Sequence, residues 1–198
     1  MPKRRPTVVV LAAGRGTRFR GAGPKLEQPL GDASLLAHAL RHVIEARLPL
    51  VVVTSPALAQ AAHRQVAARD VVVLPDRGPD GRPAPIGMGH SIAAGVSAAG
   101  DAEGWLLLPA DMPLVRPATL LAVANGLEHY PVCYAQHRGI QGHPVGFGTE
   151  LYSELVALQG DEGARRIVAR YAAQPIAVDD PGVHIDVDTV EDLARLQR

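Results

Sequence analysis

Short apolar runs rich in β-branched residues alternate with longer alanine- and leucine-rich segments through the first two thirds of the chain. The runs at residues 7–11, 50–54, 71–74 and 105–108 are predicted strands, and residues 35–46, 57–68, 91–99 and 119–127 are predicted helices. A strand that is apolar without alternation is buried on both faces, and strands separated by helix-length segments need crossover connections. The pattern therefore predicts an α/β fold with a doubly wound, mostly parallel, Rossmann-like sheet.

The pattern changes after residue 130. Residues 132–136 and 145–147 flank a glycine-rich turn at 138–144 and predict an antiparallel strand pair, which we interpret as a small lid-like insertion. Predicted helices at 150–158 and 162–173 follow, with Gly160 between them and Asp161 as the N-cap of the second. A last strand at 184–187 and a last helix at 190–196 complete the prediction. A chain of 198 residues is expected to form one domain, 1–198.

The charge balance and the apolar runs exclude several classes of protein. With 20 basic and 20 acidic residues, the chain has no net charge that would attract nucleic acid or a membrane surface. No run approaches the ~20 apolar residues of a membrane span, and the start does not resemble a signal peptide. Cys133 is the single cysteine, so neither an internal disulfide nor a cysteine-rich zinc site is expected. We therefore expect a cytoplasmic protein.

A glycine- and arginine-rich loop, LAAGRGTRFRGAGPK at residues 11–25, follows the first predicted strand. Ligands bind open α/β sheets at this position. Small residues let backbone amides approach phosphate oxygens, while Arg15, Arg18 and Lys25 can neutralise the charge of a triphosphate. The loop therefore predicts a nucleoside triphosphate site, and a flexible surface loop with scattered arginines is the alternative.

Two other phosphate-binding loops fail on spacing. A dinucleotide fingerprint needs a third glycine where Phe19 stands, and a Walker loop needs a glycine immediately before its lysine, where Pro24 stands. The triphosphate site is therefore of another type.

Two acidic motifs are candidates for a metal site. Asp111 follows a predicted buried strand in LLLPADMP, where a carboxylate is well placed to hold Mg²⁺; alternatively it caps the helix predicted to start near residue 117. The second motif is HIDVDTVED at residues 184–192. If the predicted strand continues through it, Asp186 and Asp188 lie on one face, and either both aspartates or Asp188 alone could reach the metal. Alternatively, Asp188 forms a capping box with Glu191.

The segments LAAGRGTRF, GPKL, DMP and GHP are similar to those of the MobA-like NTP transferase family, and most of all to its molybdenum cofactor cytidylyltransferases. The resemblance implies transfer of a nucleoside monophosphate to the terminal phosphate of molybdopterin, with release of pyrophosphate. It favours CTP over GTP because Ala13 precedes Gly14, where the guanylyl branch usually has two glycines. It also implies Mg²⁺ as the cofactor and a molybdenum hydroxylase as a possible recipient of the product.

The resemblance also implies roles for particular residues. Asp111 and Asp188 would hold the metal, and Arg18, Lys25 and Asp111 would be catalytic. The predicted nucleotide-binding residues are Leu11, Ala12, Ala13, Gly14, Gly16, Arg18, Lys25 and Ser91. The predicted contacts to the second substrate are Gly142, His143 and Pro144.

Several alternatives stay open. Ser91 is equally an N-cap, Arg165 and Arg166 either line the second-substrate cleft or are solvated charges, and the long loop at 75–89 either covers the base or lies on the surface. The acceptor could be another phosphorylated molecule, such as a sugar phosphate. An accessory protein or an oxidoreductase related to the family is the alternative from a different functional class.

Overall fold

In this computed structural model, which describes residues 5–14, 16–77, 81, 84 and 87–198, the chain forms an α/β fold around a seven-stranded sheet. The strands are β1 (Thr7–Ala12), β2 (Pro29–Leu30), β3 (Ala33–Ser34), β4 (Leu50–Thr54), β5 (Val71–Val73), β6 (Trp105–Pro109), β7 (Val132–His137), β8 (Ile140–Phe147) and β9 (Gln174–Ala177). The large sheet has the order β5-β4-β1-β6-β8-β7-β9, and β2 and β3 form a separate antiparallel pair.

The helices cover both faces of the large sheet. They are α1 (Leu35–Glu45), α2 (Pro56–His63), α3 (Met88–Ala98), α4 (Pro117–Gly126), α5 (Tyr152–Val156), α6 (Arg165–Arg170) and α7 (Val190–Leu196). Successive side chains of β1 point to opposite faces, so Val8 and Val10 pack in one buried cluster with α1, α2, α4 and α7, while Val9 packs in the other with α3, α5 and α6. The prediction of strands buried on both faces is confirmed for β1, β4 and β6 but not for β5, whose three residues are half-buried or exposed.

The strand directions confirm the mostly parallel sheet. Strands β5, β4, β1 and β6 are parallel neighbours, whereas β8 runs antiparallel to both β6 and β7. The predicted pair is therefore antiparallel, but the interpretation as a lid was wrong because Trp105 of β6 pairs with Phe147 of β8 inside the main sheet. The turn between β7 and β8 is also shorter than predicted, since β8 already begins at Ile140.

The carboxyl-terminal third differs most from the sequence prediction. Residues 184–187 are not a strand: a short 3-10 turn, Pro181–His184, leads into an irregular extended segment, and the edge strand that pairs with β7 is β9. The side chain of Asp180 accepts a hydrogen bond from the backbone of Gly182 and so closes this turn. Asp161 is not the N-cap of α6, because that helix begins only at Arg165.

Two predicted features fall partly or wholly outside the described residues: Arg15, and much of the loop at 75–89. Among the residues that the structure describes, no helix has the length and apolarity needed to cross a membrane.

Candidate active site

The described residues of the glycine-rich loop follow the end of β1. Gly16 has a φ of +55°, a conformation that favours glycine, and its carbonyl accepts a hydrogen bond from the backbone N–H of Phe19 at 2.9 Å. The side chain of Gln28 donates to the carbonyls of Ala22 and Pro24, at 2.8 and 3.2 Å. These bonds shape the chain just before Lys25, which opens a short 3-10 turn.

Lys25 joins two carboxylates that lie far apart in the sequence. Its Nζ is 2.7 Å from Oδ2 of Asp111 and 3.2 Å from Oδ1 of Asp188. The Lys25 side chain is only 11% exposed, so these ion pairs are shielded from water. Arg18, which is mostly exposed, contacts the other oxygen of Asp188 at 2.6 Å. The structure therefore brings together four of the residues that the sequence singled out.

Backbone bonds hold the two aspartates together as well. Asp111 follows the end of β6, and its carbonyl accepts a hydrogen bond from the backbone N–H of Val187 at 2.9 Å. The segment that carries Asp188 is therefore attached to the segment that carries Asp111.

Neither aspartate is used as a helix cap. Helix α7 is capped by Thr189 in a capping box with Asp192, so the box predicted between Asp188 and Glu191 is wrong by one residue. The side chain of Asp180, not that of Asp111, accepts the backbone N–H that precedes α4. Both carboxylates are left for the site.

Asp186 belongs to the same acidic group. Burial raises its pKa above the usual range, and a hydrogen bond to Asp188 and the negative charges of Asp188 and Asp111 raise it further. The expected proximity of Asp186 and Asp188 is therefore present, although the segment is not a strand.

The donor set fits a divalent cation with a preference for oxygen ligands. Two carboxylate oxygens converge on a single positively charged atom, Lys25 Nζ, and Mg²⁺ is commonly held by one or two carboxylates together with phosphate oxygens. Among the described residues, no group of three or more His, Cys, Asp or Glu side chains is arranged to hold a metal.

A cavity of about 320 Å³ opens beside Lys25 and Asp111, and we call it the first cavity. Of the predicted nucleotide-binding residues, it is lined by Leu11, Ala13, Gly14, Gly16 and Lys25. Ala12 is buried in the core and Ser91 in the first turn of α3, where its hydroxyl lies 3.4 Å from the carbonyl of Gly87; neither lines the cavity. The N-cap of α3 is Gly87, not Ser91.

Ser55 and Asp76, which no sequence motif singled out, also line the first cavity. Each comes shortly after a parallel strand, Ser55 after β4 and Asp76 after β5. Because the carboxyl ends of parallel strands meet at one edge of the sheet, this position was the signal that could have identified both.

A larger cavity of about 650 Å³, the second cavity, shares the lining residue Leu11 with the first. Its polar lining includes Gln141, His143 and Arg165. Burial lowers the pKa of His143 below its usual value, while the charge of Asp111 raises it and that of Arg165 lowers it. Gly142 also lines this cavity, whereas Pro144 is buried within β8 and does not.

Comparison with known proteins gives the class. The sequence model of the MobA-like NTP transferase domain matches residues 8–175, so the chain belongs to this family of nucleotide-binding nucleotidyltransferases. Over 126 residues, or 61% of its length, it is 38% identical to the bifunctional protein GlmU of Alkalilimnicola ehrlichii. The match covers 25% of that protein, so the chain spans about a quarter of this curated relative.

Solved structures share the fold over nearly the whole chain. Rv0371c from Mycobacterium tuberculosis H37Rv is 29% identical with a TM-score of 0.81, covering 100% of this chain and 99% of its own. A complex of Rv0371c with manganese gives a TM-score of 0.78 at 29% identity over 98% of each chain. The molybdopterin-guanine dinucleotide biosynthesis protein A of Archaeoglobus fulgidus shares the fold, with a TM-score of 0.67 at 19% identity over 96% of each chain.

Proposed function

We propose that this chain, acting as one domain over residues 1–198 in the cytoplasm, is a Mg²⁺-dependent nucleotidyltransferase that transfers CMP from CTP to the terminal phosphate of molybdopterin. The observation that carries the proposal is the contact of Lys25 with both Asp111 and Asp188, beside two cavities that share Leu11. Membership of the NTP transferase family supports nucleotide transfer, and the manganese complex of a relative supports a divalent cation.

In the proposed reaction, an oxygen of the acceptor phosphate attacks the α-phosphorus of CTP. The bond from that phosphorus to the bridging oxygen of the β-phosphate breaks, and its electron pair leaves with pyrophosphate. An ionised phosphate needs no general base, so catalysis rests on positioning and on charge stabilisation.

The residues divide this work between them. Asp111 and Asp188 would hold Mg²⁺, which when bound would neutralise charge on the phosphates. Lys25 and Arg18 would contact the triphosphate and stabilise the departing pyrophosphate. Gly142, His143 and Pro144 would form the acceptor side, with Gly142 and His143 lining the second cavity.

The choice of substrates rests on the residues at the two cavities. The pair Ala13 and Gly14 supports CTP over GTP, and the segment at Gly142 and His143 supports molybdopterin over another phosphorylated acceptor such as a sugar phosphate. A molybdenum hydroxylase is the proposed recipient of the product.

The test is pyrophosphate release from CTP, GTP and ATP with Mg²⁺ and molybdenum-loaded molybdopterin. We expect release with CTP, and its loss in Asp111→Ala. Asp32→Asn is a suitable control because Asp32 is exposed and paired with Arg41 on the surface. Release with GTP alone would make GTP, and not CTP, the nucleotide substrate. No release from a folded wild-type protein with any nucleotide would overturn the proposal.

A further inference from the structure

We propose that Arg165 binds the phosphate of the acceptor in the second cavity, and that it thereby selects a phosphorylated acceptor. The inference rests on the proposed function, because the anion is taken to be the attacking phosphate. The position of Arg165 carries the inference. Among the described residues that line the second cavity, Arg165 is the only arginine, lysine, aspartate or glutamate.

The rest of the second cavity is largely apolar. Its lining includes Leu11, Ile92, Leu107, Val145, Phe147 and Val168. Arg165 itself is exposed, so an anion can reach its guanidinium from solvent and be held by charge-assisted hydrogen bonds. A ligand with a flat, poorly hydrated body and a phosphate at one end matches both parts of the cavity.

Arg165 differs from the other two arginines of α6 in its ion pairing within the described part of the chain. Arg166 donates a hydrogen bond to Glu162 at 2.8 Å, and Arg170 is paired with Glu154. Arg165 forms no ion pair with any residue in the described part of the chain. Its guanidinium, which can donate two parallel hydrogen bonds, is available for phosphate.

The segment before α6 holds Arg165 at the cavity. The backbone N–H of Gly89 in α3 donates to the carbonyl of Gly160 at 2.8 Å. Gly163 has a φ of +60°, and a Cβ there would lie 3.0 Å from Cγ of Met88, so this loop packs closely on the start of α3. Ile167, two residues after Arg165 in α6, is buried in the core. The backbone that carries Arg165 is thus anchored on two sides.

The charge balance of the reaction needs a cation on this side. Both substrates are anionic, so the acceptor approaches CTP against electrostatic repulsion. Lys25 and Arg18 are paired with the two aspartates on the nucleotide side. Burial lowers the pKa of the half-buried His143, so this residue supplies a hydrogen bond more readily than a charge. Arg165 therefore supplies the positive charge that the acceptor phosphate meets.

Binding of inorganic phosphate, followed by the backbone amide NMR signals of the protein, tests the site without any turnover. The variants are Arg165→Gln and, as a matched control, Arg166→Gln on the same helix. Phosphate is expected to shift signals from the residues lining the second cavity in the wild type and in Arg166→Gln, with roughly tenfold weaker affinity in Arg165→Gln. Equal affinity in Arg165→Gln, or no shifts at this cavity in the wild type, would overturn the proposal.

Steady-state kinetics then separate the acceptor from the nucleotide. Arg165→Gln is expected to raise the KM for molybdopterin roughly tenfold or more and to leave the KM for CTP within about twofold, with partial rescue by Arg165→Lys. A purely structural role would move both KM values and the thermal midpoint together, and that result would count against Arg165. If the wild type binds phosphate through Arg165 but transfers no nucleotide, the proposed reaction fails while the anion site stands.

Discussion

Asp180 accepts a hydrogen bond from the hydroxyl of Thr119, with 2.6 Å between the two oxygens. The same carboxylate accepts the backbone N–H groups of Arg116 and Gly182, at 2.8 and 2.9 Å, although Asp180 is only 2% exposed. One buried side chain thus attaches the start of α4 to the turn that leads toward Asp188.

Replacing this carboxylate is expected to be costly. Asp180→Ala should lower the free energy of unfolding by about 2–4 kcal/mol, because it leaves the buried Thr119 hydroxyl and the Gly182 N–H without an acceptor. Urea unfolding followed by the fluorescence of Trp105, the single tryptophan, measures the change. Asp179→Ala is the neighbouring control, exposed and expected to stay within about 0.5 kcal/mol. Equal stability of the two variants would show that water replaces the carboxylate.

Lys25→Met should lower kcat by roughly 100-fold or more, because the variant loses the preorganised cation that contacts both aspartates. Pyrophosphate release under saturating CTP measures this, beside circular dichroism to show that the fold is kept. Glu27→Gln lies in the same 3-10 turn and pairs with Arg64 at the surface, so it should keep the wild-type rate. A loss of less than threefold in Lys25→Met would remove Lys25 from the catalytic group.

The two neighbouring aspartates are expected to contribute unequally to metal binding. Asp188 contacts both Lys25 and Arg18, while Asp186 forms no ion pair within the described residues. Asp188→Asn should therefore weaken Mn²⁺ binding in the presence of CTP by roughly tenfold or more, and Asp186→Asn by clearly less. Electron paramagnetic resonance of free Mn²⁺ gives both affinities, and the reverse order would make Asp186 the principal ligand.

Cys133 should resist modification in the folded protein. Burial raises the pKa of its thiol to about 12, so at pH 8 the reactive thiolate is roughly a thousandfold rarer than for an ordinary thiol. Ellman's reagent at pH 8 should label it slowly in buffer and completely in guanidinium chloride. Because the folded pKa is raised, the labelling rate should climb as pH rises toward that value. Rapid labelling of the native protein would contradict the buried position.

Gly142→Ala should destabilise the protein by about 1–3 kcal/mol, since a Cβ at this position of β8 would run into the carbonyl oxygen of Val183. Thermal unfolding measures the loss. Ile140→Ala, two residues earlier and 63% exposed, is the control and should change little. An unchanged midpoint for Gly142→Ala would mean that the Pro181–His184 turn can move away without cost.

The sequence predicted the parallel part of the sheet well because β1, β4 and β6 are buried on both faces and consist almost entirely of apolar residues. It missed β9, a four-residue edge strand with Pro175 inside it, whose half-buried alternation carries little signal. It placed a strand at 184–187 because that segment alternates polar and apolar residues, whereas in the fold β9 already occupies the edge beside β7.

The candidate site was predictable residue by residue but not as an arrangement. Lys25, Asp111 and Asp188 were each singled out from local motifs. The two aspartates, however, lie 86 and 163 positions after Lys25 in the sequence. Their meeting at one ammonium group depends on how the strands are ordered in the sheet, which spacing along the chain does not specify. Arg165 was left open between a cleft residue and a solvated charge for the same reason.

Leu11 lines both cavities, so the two spaces meet at one residue. A substitution there that changes the shape of one cavity is expected to change the border of the other as well. Selectivity for the base and selectivity for the acceptor are therefore not independent traits at this position. An attempt to redesign either preference by changing Leu11 would have to screen both preferences together.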